Sequence, residues 1–293
     1  PFPGNVLPQS RISSIGRKII SYYPTPNTPG VTDNFVNSAS VGRYRYEQYM
    51  GRWDRVINSY NRFSAVFTLQ DGGEWRNNTG IPGVAASGNI NSTRRNLNVI
   101  LSYTRILSPS ALFDVRLSFG RFTSNFPSVD TSSGLTAAGL GLTNMVQSPT
   151  SGHKFPPRIA VDLFSNLFGN NANLVNWRTD NQWNLVPTFT ITRGKKTIRF
   201  GADLVYAAQG FDASGLSNGY LQFTRWGTQR YPQRSALNAQ DGSGLADLLL
   251  GIPGAGQVDW NDNFYRSWPY FGFFLQTDWK VRRNLTLNIG LRY

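Results

Sequence analysis

Two neighbouring stretches of sequence decide the fold: NLNVILSYTRI, residues 96–106, and ALFDVRLSFGRF, residues 111–122. Apolar and polar residues alternate in both. The apolar positions are Leu97, Val99, Leu101 and Tyr103 in the first stretch and Phe113, Val115, Leu117 and Phe119 in the second. Successive side chains of a β-strand point to opposite faces, so a period of two predicts a strand. The residues between the stretches include Pro109 and two serines, which suit a short turn. We therefore predict a hairpin with one apolar face.

The same pattern recurs at three other places along the chain. The predicted pairs are Gln48–Val56 with Arg62–Leu69, Asn181–Thr192 with Thr197–Ala207, and Tyr270–Val281 with Leu285–Tyr293. One more strand is predicted at Gln257–Ser267, followed by a short link at Trp268-Pro269. Pro187 is expected to cause a bulge, because proline cannot donate a hydrogen bond to a neighbouring strand. The prediction is an all-β chain of about nine or ten antiparallel strands in an open, curved sheet.

Composition favours the same fold class and excludes several kinds of site. Of the 16 acidic residues only Glu47 and Glu74 are glutamates, whereas 14% of all residues are aromatic. Glutamate is a good helix former and aromatic residues favour strands. The chain has no cysteine and one histidine, His153, which excludes disulfides, thiolate metal sites and multi-histidine metal centres. We also find no converging carboxylate pair, so we expect neither an enzyme nor a bound cofactor.

The loop pattern indicates a membrane protein. No stretch approaches the 18 apolar residues of a transmembrane helix, but strands of about ten residues suffice to cross a bilayer at a tilt. Turns within each pair are short, whereas the connections 70–93, 123–180 and 209–256 are long. Outer-membrane barrels alternate short periplasmic turns with long extracellular loops. A soluble β-sandwich is the alternative interpretation.

In a barrel, the two faces of each strand meet different surroundings. The apolar positions predicted to face lipid are Leu97, Val99, Leu101, Phe113, Val115, Leu117, Phe200, Leu204, Leu287 and Ile289. The charged positions predicted to face the lumen are Asp114, Arg116, Arg199, Asp203, Asp278 and Arg292. We expect Asp114 to pair with Arg116, and Arg199 with Asp203, as a solvated wall without a specific ligand.

Other features of the sequence carry weaker signals. The net charge is +13, but the arginines are scattered rather than clustered, so we expect no nucleic-acid partner. The glycine-rich run 251–256 lacks the strand, helix and following lysine of a phosphate-binding loop. Short helices are predicted at Ser13–Tyr22, Leu135–Leu142 and Gly244–Leu250. Loop aromatics suit either stacking on a sugar or aromatic chelator, or a place at the membrane interface: Trp226, Tyr231, Trp260, Tyr265 and Trp268.

Several motifs resemble Oar-like TonB-dependent outer-membrane transporters. They are PGNVLPQSRI at 3–12, YYPTPN at 22–27, GRWDR at 51–55, the segment 244–251 with Pro253, and FLQTDWKV at 274–281 running into LTLNIGLRY at 285–293. The last of these motifs is the most specific, and the resemblance covers essentially the whole chain.

The resemblance implies a 22-stranded barrel with a plug domain, energised through the TonB system. We expect residues 1–293 to be part of such a barrel domain, because the sequence begins without methionine and stops inside a predicted strand. Residues 1–40 would form an extracellular loop with a short helix, and residues 41–293 the hairpins and long loops. The plug would lie outside this chain. The implied function is active uptake of a siderophore or oligosaccharide across the outer membrane. The alternatives are a structural or adhesive outer-membrane barrel and a soluble carbohydrate-binding β-domain.

Overall fold

The computed structural model describes residues 2–37, 42–75, 81, 83–85, 91–127, 133–149, 155–169, 175–212, 215–229, 241–261 and 263–293. Two residues singled out in the sequence, His153 and Tyr231, lie outside these ranges. The strands of the described part are β1 Arg43–Asn58, β2 Asn61–Trp75, β3 Asn91–Ser108, β4 Ala111–Pro127, β5 Arg158–Val161, β6 Val175–Arg193, β7 Lys196–Phe211, β8 Tyr220–Phe223, β9 Ala255–Gln257, β10 Phe264–Arg282 and β11 Leu285–Arg292. The α-helices are α1 Ser14–Ile20 and α2 Gly244–Leu250.

Eight long strands form one antiparallel sheet in the order β1-β2-β3-β4-β6-β7-β10-β11. The all-β class and the four predicted hairpins are confirmed. Eight strands replace the predicted nine or ten, and within the described residues the sheet is open, with β1 and β11 as its edges. The 22 strands that the resemblance implies are not shown. None of the helices in the described ranges is long and apolar enough to cross a membrane.

The prediction of a separate strand at Gln257–Ser267 is wrong. β10 starts at Phe264 and continues through Trp268-Pro269, with Pro269 opposite Tyr206 of β7. Phe273 exchanges both backbone hydrogen bonds with Tyr293, so the missing N–H of Pro269, four residues earlier, faces the side of β10 beyond the end of β11. Proline at position 269 therefore removes no hydrogen bond from the sheet. With β10 continuous, short turns and long connections alternate without exception.

The predicted bulge at Pro187 is also wrong. The β6–β7 register is the same on both sides of this residue, from Leu185 opposite Leu204 to Thr188 opposite Gly201. The pairing of β6 with β7 is instead interrupted at Val186 and Pro187 and resumes at Thr188. A Cβ atom added to Gly201 would lie 2.3 Å from the Pro187 carbonyl oxygen, so the strand accommodates proline by bringing its backbone against a glycine.

This close approach gives a first prediction. We expect Gly201→Ala to lower the free energy of unfolding of the full-length protein by about 1–3 kcal/mol, because the new methyl group overlaps a backbone oxygen. The matched control is Gly290→Ala on β11, where the nearest atom to an added Cβ is 3.5 Å away. Urea unfolding in lipid vesicles gives both values, and equal values for the two variants would contradict the proposed overlap.

The hydrophobic core lies outside the large sheet, in what we call the loop module: α1, α2, the small sheet β5-β8-β9 and the turns around them. Its buried residues are Ile19, Ile81, Ala85, Leu140, Phe155, Ile159, Val161, Leu167, Phe168, Phe223 and Leu248. The two helices approach so closely that a Cβ on Gly16 would lie 2.3 Å from the Leu248 carbonyl oxygen. The third predicted helix, Leu135–Leu142, is reduced to a single 3₁₀ turn at Ala138–Leu140.

Helix α2 has its predicted bounds, whereas α1 ends at Ile20, two residues before its predicted end at Tyr22. The Ser13 hydroxyl accepts a hydrogen bond from the Gly16 N–H at the start of α1, and the Ser243 hydroxyl accepts one from the Ala246 N–H at the start of α2. Gly251 ends α2 with φ +72°, a left-handed conformation that glycine adopts without strain. The glycine-rich run 251–256 is therefore a helix end leading into β9.

Candidate functional site

The strand registers divide the large sheet into two chemically distinct faces. Residues paired across an antiparallel sheet share a face, so each row of partners can be followed from strand to strand. The apolar face is defined by Phe63, Phe67, Val99, Leu101, Phe113, Val115, Leu117, Phe119, Trp183, Leu185, Phe189, Phe200, Leu204, Phe271, Phe273, Leu275, Leu287 and Ile289. All ten positions predicted to face lipid lie on this face or in its rows.

Rings and aliphatic side chains form separate rows on the apolar face. Phe119, Trp183 and Tyr206 form one aromatic row, with ring centroids 5.1 and 5.7 Å apart. A second row contains Phe113, Phe189 and Phe200, at 4.6 and 5.2 Å. The row Leu101, Leu117, Leu185 and Leu204 lies between them.

The length of the apolar face suits a membrane. From Trp183 to Ile191 it extends eight residues, about 27 Å along the strand. A tilt of about 40° reduces this to roughly 20 Å, close to the ~25 Å apolar band of outer-membrane barrels.

The six charged positions predicted to face a lumen share the opposite face, which we call the polar face. The registers place all six on it, toward the short-turn end. The predicted partners differ from those observed. Asp203 pairs with Arg292 (Nη2–Oδ2 3.0 Å), and Asp114 accepts a hydrogen bond from Thr104 (2.6 Å). Residues four apart on one strand, such as Arg199 and Asp203, are about 13 Å apart, so partners come from neighbouring strands.

The Arg292–Asp203 ion pair spans three strands. Arg292 lies on β11 and Asp203 on β7, and the residue of β10 opposite Asp203 is Gly272. Because glycine has no side chain, the guanidinium group can pass over β10 to the carboxylate. Whether the polar face encloses a lumen remains a prediction, since the described sheet is open.

The strongest candidate site lies on the polar face at the long-loop end. One row of partners crosses seven strands: Gln48, Gln70, Asn96, Phe122, Asp180, Gln209 and Arg266. Its side chains are joined by hydrogen bonds. Gln209 donates to Asp180 (2.7 Å), Arg266 donates to Gln209 (2.9 Å), and Asn96 donates to Gln70 (3.2 Å). Such a network holds its donors and acceptors in fixed directions.

A cleft of about 590 Å³ opens beside this row. Its lining is Phe122, Ser124, Phe126, Trp177, Arg178, Gln209, Phe211, Asp212 and Arg266. Two aromatic rings flank the guanidinium group of Arg266. Its central carbon lies 5.9 Å from the centroid of the Phe211 ring and 5.4 Å from that of the Trp268 ring. Arg178 is paired with Asp180 at 2.7 Å. The cleft combines flat apolar surfaces with oriented polar groups, as small-molecule sites do.

The sequence alone does not predict this cleft or the adjoining row. Trp268, which flanks Arg266, is among the aromatic residues singled out above, whereas Arg178, Asp180, Gln209 and Arg266 are not. The polar row becomes visible only when the registers across long connections are known. The loop aromatics Trp226 and Trp260 lie elsewhere, exposed at 58% and 62%. Tyr265 also lies apart, on the apolar face at the long-loop end.

Buried titratable groups in the loop module have structural partners. Asp247 is fully buried, and its Oδ2 accepts a hydrogen bond from the Gly227 N–H (3.0 Å). Burial raises the pKa of this carboxyl group. Burial also raises the pKa of Tyr23, whose hydroxyl donates to the Ser165 carbonyl oxygen (2.9 Å). No group of three metal-binding side chains occurs among the residues described.

Comparison with known proteins identifies the family. The family model described as "Outer membrane beta barrel domain" matches residues 1–293. This chain belongs to that family. Its place is therefore the outer membrane, as predicted, with one face of the sheet against lipid. Because the apolar face packs against no other part of the described chain, we assign it to the lipid contact.

One solved structure with detectable similarity is the outer membrane transporter YddB from Escherichia coli. It is 9% identical, with a TM-score of 0.42, over 85% of this chain and 34% of that chain. This chain thus spans about a third of that protein, and the similarity is too low to support a functional argument. No curated protein matches the chain.

Proposed function

We propose that this chain is part of a TonB-dependent outer-membrane receptor that actively takes up an oligosaccharide or a siderophore. The observation that carries the proposal is the cleft at the long-loop end of the polar face, with its hydrogen-bonded row and aromatic walls. A ligand arriving from outside the cell would meet this end first, if the long loops are extracellular. A plug domain outside this chain would couple the barrel to the TonB system. The proposal assigns the chain no enzymatic activity.

The charges of the cleft favour an oligosaccharide over an anionic chelate. Arg178 and Arg266 line the cleft together with Asp212, and Asp180 stands beside them in the adjoining row, so these four side chains carry no net charge. Side-chain amides and paired carboxylates supply directed donors and acceptors for hydroxyl groups, while Phe122 and the rings near Arg266 offer flat surfaces for stacking. An anionic iron chelate would be better served by unpaired bases.

An uptake assay tests the proposed function. We expect cells producing the full-length protein to accumulate radiolabelled maltooligosaccharides or iron-loaded hydroxamate and catecholate siderophores, and to lose accumulation when the proton gradient is dissipated. The expected preference is for the maltooligosaccharides. Binding of all these probes without energy-dependent accumulation would contradict transport.

A variant in the cleft should weaken ligand binding. We expect Gln209→Ala to lower affinity for the accumulated probe roughly tenfold, because Asp180 and Arg266 both lose the amide that orients them. Arg45→Gln is the control, since its exposed ion pair with Asp71 lies at the same end but on the other side of the sheet. Calorimetry on the purified full-length protein measures both. Equal losses would show that the cleft is not the binding site.

A structural or adhesive barrel is the second candidate. Its support is the exposure of Trp226 and Trp260 on loops away from the cleft, where they could contact a surface partner. A soluble carbohydrate-binding domain does not fit an outer-membrane family with an uncovered apolar sheet face.

A further inference from the structure

A row of residues that includes two bases borders the apolar face at the short-turn end. Arg193 of β6 is opposite Lys196 of β7, which is opposite Trp279 of β10, which is opposite Leu287 of β11. The neighbouring row is Ile191, Ile198, Thr277 and Ile289, which belongs to the surface assigned to lipid. The cationic side chains of Arg193 and Lys196 therefore lie at the edge of the apolar band nearest the short turns, where the hydrocarbon region of the bilayer meets the lipid headgroups.

The charges around this row are unbalanced. Residues 190–199 and 278–288 hold seven bases, Arg193, Lys195, Lys196, Arg199, Lys280, Arg282 and Arg283, and one acid, Asp278. In the described part of the chain none of the seven takes part in an ion pair. Like charges directly opposite each other on a sheet destabilise it, and Arg193 faces Lys196. The two segments therefore carry an excess of six positive charges (seven minus one) at the short-turn end.

The aromatic residue of the row suits a membrane interface. The Lys196 Nζ atom lies 4.5 Å from the centre of the Trp279 ring, which is half-buried. Tryptophan favours the headgroup level of a bilayer, because its ring is apolar and its N–H is polar. The cation–π contact holds the lysine ammonium beside the ring, on the side of the lipid.

We propose that Arg193, Lys196 and Trp279 form a binding site for the headgroup of an anionic phospholipid in the periplasmic leaflet. The phosphate would lie between the two bases and relieve their repulsion, while the acyl chains would lie along Ile198 and Ile289. Short turns are the periplasmic turns of outer-membrane barrels, which fixes the leaflet. A soluble anion would gain nothing from contact with these apolar side chains. The inference depends on the membrane assignment alone and not on the transported ligand.

Native mass spectrometry of the full-length protein tests the site. The protein is released from detergent in the presence of equal amounts of phosphatidylglycerol and phosphatidylethanolamine. We expect preferential retention of phosphatidylglycerol, reduced roughly tenfold in the double variant Arg193→Gln/Lys196→Gln, since each base near an anionic headgroup contributes to binding. The matched control, Arg199→Gln/Lys280→Gln, removes the same charge from the polar face at the same end and should change retention less than about twofold.

Equal losses in the two double variants, or equal retention of both lipids by the unaltered protein, would overturn the proposal. A second measurement does not depend on the folding of the two double variants. The fluorescence of Trp279, taken as the difference between the unaltered protein and Trp279→Phe, should be quenched more by brominated phosphatidylglycerol than by brominated phosphatidylethanolamine. Equal quenching would also overturn the proposal.

Discussion

Leu117→Arg in the full-length protein is expected to lower the free energy of unfolding by about 2–4 kcal/mol, the cost of arginine at the membrane midplane in such barrels. Leu117 lies in the central leucine row of the apolar face and is 44% exposed in the chain alone. Arginine at this position must either enter hydrocarbon or distort the strand. Urea unfolding in phospholipid vesicles measures the difference.

Two further substitutions show what the leucine contacts. Ser118→Arg, on the polar face, should cost well under half as much as Leu117→Arg, because a lumen contains water. Leu117→Ala should cost around 1–2 kcal/mol, the transfer term alone, since fluid lipid leaves no rigid cavity. In a packed protein core the same change costs about 2–5 kcal/mol. A loss for Leu117→Ala as large as that for Leu117→Arg would mean that this face packs on protein.

Phe168→Ala is expected to lower the stability of the loop module by about 3–5 kcal/mol, the usual cost of removing a buried phenylalanine. Phe168 is fully buried, and its ring meets that of Tyr22 edge to face with centroids 5.1 Å apart. Protein atoms surround it, so a cavity remains when the ring is lost. Hydrogen exchange of residues 155–169 should accelerate strongly, while exchange in β3 and β4 should stay unchanged.

The control for Phe168 is Phe164→Ala, four residues earlier in the same segment. Phe164 is 44% exposed and contacts Tyr23 at a ring distance of 5.4 Å, so its loss should cost less than about 1.5 kcal/mol. If both variants accelerate exchange equally, the segment is not held by the core of the loop module.

Sequence alone predicted the faces of the sheet well, for a physical reason. Side-chain alternation is a property of each strand by itself, so Leu117 and Ser118 could be assigned to opposite faces without knowing any neighbour. The short turns then set the register inside each hairpin, together with a register shift beside the turn in three of the four hairpins. The helices of the loop module were predictable from local signals too, such as the capping Ser13 and the terminal Gly251.

The failures depended on contacts between distant parts of the chain. The sequence predicts Trp268-Pro269 as a short link between two strands, because the compatibility of Pro269 with β10 depends on where β11 stops. The cleft was missed because Asp180 and Arg266 share a row only through the β6–β7 and β7–β10 registers, and a long connection separates β7 from β10. The Arg292–Asp203 pair requires the same long-range information. No local pattern encodes these distances.

Spin-label accessibility along β4 tests the central claim, that one face of the sheet meets lipid and the other meets water. The chain has no cysteine of its own, so nitroxide labels can be placed singly at positions 113–120 in the full-length protein in vesicles. Collisions with oxygen should be frequent at the odd positions and infrequent at the even ones, and collisions with a water-soluble nickel complex should show the reverse. The alternation predicted here has a period of two. Low accessibility to both reagents at the odd positions would show a protein core behind them and contradict the membrane assignment.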